Sequence, residues 1–575
     1  MAVFAYSTIA ELLVLYLSTK VLGLLIDPVS YVLLGLNYYL PPDLEQVDGI
    51  KMPKQHQRKP SAKKKKKQAE KEKEYLTSKR LDSFVLFQDK ISTENFPEYA
   101  KHFLVLQDLQ WIFVLTIQAL MVYSVSNIIK CLDTAPVNLD LSTILLCFMA
   151  YVGISLNIKL LSKRSVKHFD TQMAIIIGVF SSIVAFGALN LPPTVIDFRL
   201  DLAMPELNKN VKQLYLAVAT PEEKVVDDLI DAVYIRLILA ITCGIISSSY
   251  VLPALRMSKY YNEMVDSDQN GFLLNAALQI TYFAPLFLSL CWIPPLTTDF
   301  ILTRGLVACN ADELIRDCRS FPPEGYFFIT ESIFYAGRTY FLLFSSFLSL
   351  YLLRKYLQAH LEEAKTQVNE IMHTVSNIDK AMTNRISYGV KQIFWRVCVV
   401  GVQYCGPIIF NLALTLLLHR KGNYNLHICN NIQHLLKEQV GWENVGTEHA
   451  LFNSSSGSST KDNKRGLLNL FVGENDEAKR ITDWVKEITS TGIFTSNTYR
   501  PIIGFLIFWS LLSWFSLSAF GLMFYRRQQL FAQVVPKNMS LDSVVNEKKN
   551  EKTSKSGPVK GGNEWVKARK KYQAQ

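Results

Sequence analysis

The sequence predicts an all-α, polytopic membrane protein, and three observations lead there. Nine stretches are apolar enough and long enough to cross a bilayer: residues 3–26, 103–129, 141–161, 171–191, 229–255, 272–293, 327–353, 393–418 and 500–525. A hydrocarbon core of about 30 Å needs roughly 20 apolar residues in a helix. The chain is 49% hydrophobic and 19% charged, as suits spans joined by sizeable polar loops. Its Lys and Arg residues also collect in alternate connections, as they do when loops fall on opposite sides of a membrane. In lipid a span must satisfy its own backbone, which restricts it to helices or closed barrels.

Residues 1–40 read as a first transmembrane helix and an interfacial segment. The helix carries Glu11 and Lys20 and lacks both a basic n-region and a clear cleavage site, so it reads as a retained span rather than a signal peptide. Residues 41–102 form a basic loop, disordered in part, because its Lys/Glu-rich centre has no apolar periodicity. The run Lys63, Lys64, Lys65, Lys66 and Lys67 either attracts anionic lipid or is a solvated charge run that only fixes orientation. The net charge of +11 thus reports membrane orientation and not a nucleic-acid partner.

Residues 103–353 hold spans two to seven. Their basic connections open with Lys163 and Arg164, then with Arg256 and Lys259. Between them, the 192–228 loop has seven acids against four bases. Residues 393–525 hold spans eight and nine around the loop 419–499. Residues 526–575 form a basic, disordered tail with twelve Lys/Arg against four Asp/Glu. One topology accommodates every loop: N-terminus lumenal or extracellular, C-terminus cytoplasmic. The sequon at Asn453 then falls on the lumenal side and is a glycosylation candidate, whereas Asn538 falls in the cytoplasmic tail and stays unmodified. Cys309 and Cys318 lie in one lumenal loop and are a candidate disulfide.

Residues 354–392 read as a cytoplasmic helix continuing from the seventh span. Leu357, Leu361, Ala364, Val368, Ile371, Val375 and Ile378 follow at spacings of 4 and 3, a heptad seam. The seam suits a partner helix, a second copy of the chain or an intramolecular surface. Ala and Val at several positions make it a weak zipper.

Charges inside spans are the best candidates for chemistry, because each is costly in hydrocarbon and usually faces a partner or a water cavity. Glu331 and Arg338 share one face of the seventh span, two turns apart. Asp231 and Arg236 in the fifth span are the expected bridging partners. Gln403 and Asn411 place polar groups beside Pro407, and Pro253 and Pro285 interrupt two other spans. These groups suit either an ion pathway or interhelical clasps. The Asp266-Ser267-Asp268 segment starts like a calcium loop but has Ala277 where a bidentate Glu belongs. His427, Cys429 and His434 fit no standard zinc spacing. The sequence therefore gives no catalytic residues, metal site or cofactor, and reads as non-enzymatic.

Five blocks resemble the transmembrane protein 161 family. They are Tyr282-Phe283-Ala284-Pro285-Leu286-Phe287, Thr330-Glu331 with Arg338, Leu357-Gln358-Ala359-His360-Leu361, Gln403-Tyr404 with Pro407, and Phe520-Gly521-Leu522 with Tyr525. The resemblance covers most of the chain from the second span onward. It implies a multi-pass membrane protein without assigned catalytic residues, tied to calcium handling and cell excitability. The expectation is a scaffold or accessory modulator of ion handling. The alternative is a transporter or channel working through Glu331, Arg338 and Asp231.

Overall fold

The computed structural model describes residues 6–24, 28–41, 86–132, 141–162, 168–192, 195–196, 198, 200–218, 231–266, 271–297, 331–374, 380–421 and 496–534. The chain opens with α1 (Tyr6–Leu24), α2 (Pro28–Leu33) and the strands β1 (Asn37–Tyr39) and β2 (Gln88–Lys90). Then follow α3 (Phe96–Ala100), α4 (Leu106–Leu132), α5 (Leu141–Leu161), α6 (His168–Leu189) and α7 (Leu200–Val218). The second half comprises α8 (Ala232–Val265), α9 (Phe272–Leu290), α10 (Pro294–Thr297), α11 (Glu331–Thr374), α12 (Lys380–Trp395), α13 (Val397–Lys421) and α14 (Ser496–Val534).

Among the described residues, eight helical segments are long and apolar enough to cross a membrane: those of α4, α5, α6, α8, α9, α11, α12–α13 and α14. The expected count of nine is therefore approximate. The counterpart of the first expected span, α1, is a 19-residue helix packed against α4 and α5. Pro253, Pro285 and Pro407 all lie inside continuous helices.

Small residues set how the helices meet. On α6 and α8, Gly178 and Ser182 face Gly244 and Ser248, and a Cβ on Gly244 would overlap Ser182 Oγ and lie 2.6 Å from the Gly178 carbonyl. At the α5–α13 crossing a Cβ on Gly153 would lie 2.9 Å from the Gly406 carbonyl. Hydrocarbon gives helices no hydrophobic reason to associate, so close backbone approach at small residues and interhelical hydrogen bonds take that role. The apolar segment of α13 is 94% buried and that of α6 17%, so α13 is the axis of the bundle and α6 its periphery.

At one end, called here the hairpin end, β1 and β2 pair antiparallel with Tyr38 opposite Asp89. The two flanks of the basic Lys63–Lys67 loop are thereby held together, although the run itself lies outside the described residues. Gln358 on α11 accepts from Asn37 N at 3.0 Å, and Arg354 donates to the Leu34 carbonyl at 2.7 Å. Tyr38 stacks on Phe394 of α12 at 4.5 Å, with Tyr99 edge-on to both. α12 and α13 are separated at Arg396. There the Trp395 carbonyl accepts from Leu104 N and the Ile393 carbonyl accepts from His360 Nε2, and outside donors of this kind are a recognised cause of helix breaks.

The 192–228 loop contains α7, which was expected as loop. Leu200, Ala203, Met204 and Leu207 form its buried stripe, and Phe198 just before it packs on Phe505 and Phe508 of α14. That i, i+3, i+4, i+7 spacing was legible in the sequence, but it is shorter than a span and was overshadowed by the acidic residues around it.

Candidate functional site

Cys243, Ser247, Tyr250, Ala254, Ser258 and Tyr261 follow at spacings of three and four, so they share one face of α8. That face carries a line of buried polar contacts. Ser247 Oγ lies 2.6 Å from Ser181 Oγ on α6 and 2.8 Å from Ser513 Oγ on α14. Trp509 Nε1 donates to both Ser181 and Ser247 at 3.1 Å. Tyr250 pairs with Ser510 at 2.9 Å, and Ser258 donates to the Ser518 carbonyl at 2.7 Å. Unpaired, each of these groups would be costly in a dry interior.

A small cavity of about 40 Å³ follows, lined in part by Tyr261, Tyr282, Tyr356, Tyr404, Thr281 and Ser518. Tyr261 stacks on Tyr282 at 4.4 Å, Tyr356 lies against Tyr404 at 4.8 Å, and Tyr404 donates to the Ser349 carbonyl. Among the described residues Ser518 Oγ has no hydrogen-bond partner. The space suits a water, which needs about 10–15 Å³ and polar neighbours. It is far too small for a continuous pore.

Towards the hairpin end, Gln403 accepts a hydrogen bond from Arg256 Nη1. Beyond the apolar part of α8, Lys259 Nζ meets Glu363 Oε1 at 2.7 Å, while Tyr260 OH reaches His360 Nδ1 at 2.9 Å and Glu363 Oε2 at 3.3 Å. Burial acts to push the Glu363 carboxyl up, but the hydrogen bond to His360 and the Lys259 charge outweigh it and hold the group well below the usual carboxylate range. Glu263 is pushed up to about 7, first by burial and then by Glu363, Glu362 and Glu370, with Lys259 opposing.

At the opposite end, Arg420 of α13 donates to Ser126 and Asn127 of α4 and lies 3.7 Å from Glu11 of α1. Tyr123 and His419 pair beside them at 2.7 Å.

Among the described residues, Arg338, Asp231 and Arg236 do not contact one another. The Glu331 side chain lies outside the described residues. Arg338 lies 4.1 Å above the Trp292 ring and 5.1 Å from the Tyr335 ring, and donates to the Cys291 carbonyl at 3.4 Å. Asp231 is not its bridging partner, because it caps α8 by accepting from Val233 N at 3.2 Å. Arg236 donates to Asn190 Oδ1 at 2.9 Å. The reason is the Gly178–Gly244 crossing, which turns this end of α8 towards α6. Asn411 Oδ1 is buried without a hydrogen-bond partner among the described residues, and the Asn411 carbonyl accepts from Thr415.

Over its described part the heptad seam is filled from within the chain, the intramolecular one of the three alternatives the sequence offered. Ala364 and Val368 form one core with Ile386, Val390 and Ile393, against which Ile371 packs; Leu357 and Leu361 are also buried. Residues 375–379 separate α11 from α12, so Val375 and Ile378 lie outside the described residues. Asn453, Cys309 and Cys318 lie outside them as well. Cys147, Cys243, Cys291, Cys398 and Cys405 are free thiols. Among the described residues no cluster of His, Cys, Asp and Glu has the makings of a metal site.

These features define a polytopic helical membrane protein in which several described interior polar groups pair across helices. The sequence matches the family described as "Predicted transmembrane protein 161AB" over residues 12–530, and the chain belongs to that family. No solved structure matches it.

Proposed function

We propose that the protein is a non-enzymatic membrane scaffold or accessory subunit that modulates ion handling, calcium included, and thereby cell excitability. The observation that carries this reading is the pairing of interior polar groups between helices among the described residues. The Ser181–Ser247–Ser513–Trp509 contacts and the Arg256–Gln403 and Lys259–Glu363 pairs tie helices together. The ion-handling element rests on the family resemblance. The transporter alternative is less well supported, since Asp231 is a helix cap and Arg338 is stacked on Trp292.

Liposome reconstitution tests the choice. The purified protein is expected to give no ion flux above protein-free vesicles, while its deletion in cells alters calcium transients. Flux by pure protein that disappears with Glu331→Gln sinks the scaffold reading.

The loop charges support an orientation in which the hairpin end is cytoplasmic and the Glu11–Arg420 end lumenal or extracellular. Glycosidase treatment should shift the mass of the wild type and of Asn538→Gln, but not of Asn453→Gln. A glycan on Asn538 would overturn this topology.

A further inference from the structure

Helices α5, α8 and α13 pack pairwise, and their junction gathers two arginines and two side-chain amides. α8 contributes Arg256, whose Nη1 donates to Gln403 Oε1 on α13. Arg396 stands at the break before α13, seven residues ahead of Gln403. Seven residues are about two turns, so Arg396 and Gln403 share a face. The two guanidiniums are near enough for the charge of Arg256 to act on Arg396. α5 contributes Asn157, which is 3% exposed. A Cβ built on Gly406, one turn past Gln403, would lie 2.5 Å from Asn157 Nδ2. Neither atom of the Asn157 amide has a hydrogen-bond partner among the described residues.

Two like charges in a half-buried junction repel unless an anion joins them. Among the described residues no carboxylate lies within ion-pair distance of Arg256 or Arg396. Gln403 Oε1 is already occupied by Arg256, so Gln403 offers the junction its Nε2 as a further donor. Arg256 is the first base past the apolar stretch 229–255, and Arg396 is the fourth residue of 393–418. Both therefore sit at the bilayer boundary of the hairpin end, the depth of lipid phosphates.

We propose that this junction binds the phosphate of an anionic phospholipid from the leaflet at the hairpin end. Guanidiniums take phosphate oxygens in bidentate pairs, and the Gln403 amide beside Arg256 adds a neutral donor. A headgroup with no net charge, such as phosphatidylcholine, offsets the two arginines less than one with net negative charge and is disfavoured. The site is separate from the Lys63–Lys67 run, which attracts a charged surface rather than one headgroup.

The test uses the full chain purified in detergent and titrated with short-chain phosphatidylserine, phosphatidylcholine or inorganic phosphate, with native mass spectrometry and thermal stability as readouts. Wild type should retain phosphatidylserine about tenfold more tightly than phosphatidylcholine. Arg256→Gln combined with Arg396→Gln should lose that preference, the Arg256→Lys/Arg396→Lys pair should keep part of it, and glutamines at Lys63–Lys67 should leave it intact. Equal retention of both lipids by wild type would overturn the proposal, and this readout does not depend on the variants folding. So would an undiminished preference in a folded Arg256→Gln/Arg396→Gln protein, which would leave the arginines merely snorkelling. Saturation by millimolar phosphate without lipid preference would assign the site to a free anion instead.

Discussion

Glu11 Oε1 lies 3.7 Å from Arg420 Nη2, and the two side chains are 0% and 1% exposed. The pair joins the first helix of the chain to its central helix, across more than four hundred residues of sequence. Neither Glu11 oxygen has a hydrogen-bond partner among the described residues, whereas Arg420 also donates to Ser126 and Asn127. This makes α1 part of the bundle.

Breaking this pair should have unequal effects. Glu11→Leu strands a guanidinium that cannot deprotonate, at about 3–5 kcal/mol. Arg420→Leu leaves a carboxyl that can take up a proton, so its loss should be smaller. The double variant should recover much of the monodisperse yield measured by size-exclusion chromatography in detergent. Equal yields for the two single variants would show that the pair contributes little.

Substitution at Gly244 should separate α6 from α8. A Cβ there meets Ser182 Oγ and, at 2.6 Å, the Gly178 carbonyl, which is backbone and cannot rotate away. Gly244→Val should cost about 1–3 kcal/mol by overpacking and lower the melting midpoint. Gly187→Ala, with nothing within 4 Å of its Cβ, should leave the midpoint unchanged. A wild-type midpoint for Gly244→Val would refute the close crossing.

Val368→Asp should act as a folding defect. Val368 is 2% exposed, in a core with Ala364, Ile386, Val390 and Ile393. A carboxylate there has no paired charge among those residues, and burying an unpaired charge is among the most destabilising single changes, often above about 4 kcal/mol. Thr366→Asp, on the exposed face of the same helix, should be near neutral. Loss of a bound partner from Val368→Asp at unchanged thermal stability would restore the seam as a docking surface.

The Lys259–Glu263–Glu363 cluster should make stability fall with rising pH. The folded-state value of Glu263, about 7, lies above its ordinary 4.5. The folded protein therefore binds more protons than the unfolded chain between those values, and the free energy of unfolding decreases as pH rises through that window. Glu263→Gln should flatten the melting midpoint between pH 5 and about 7.5 relative to wild type. A pH slope identical in the two proteins would rule out Glu263 as its source.

The membrane class, most of the spans, the continuation of α11 beyond the bilayer and the periodicity of the Leu357–Ile371 seam were all written in local sequence. Hydropathy and helical period depend on neighbours within a few turns, and lipid removes every alternative in which the backbone is left unsatisfied. Tertiary structure alone decided what each face meets. It placed Ile386 and Val390 in the seam, set Asp231 as a cap instead of a counter-charge, put Trp292 under Arg338, and brought Glu11 to Arg420. It also closed the flanks of the basic loop through Tyr38 and Asp89, which no periodicity announces. The physical reason is that a helix face specifies only the kind of surface it needs. Which distant helix supplies it follows from the close approaches at Gly178–Gly244 and Gly153–Gly406, and these exist only once the chain has packed.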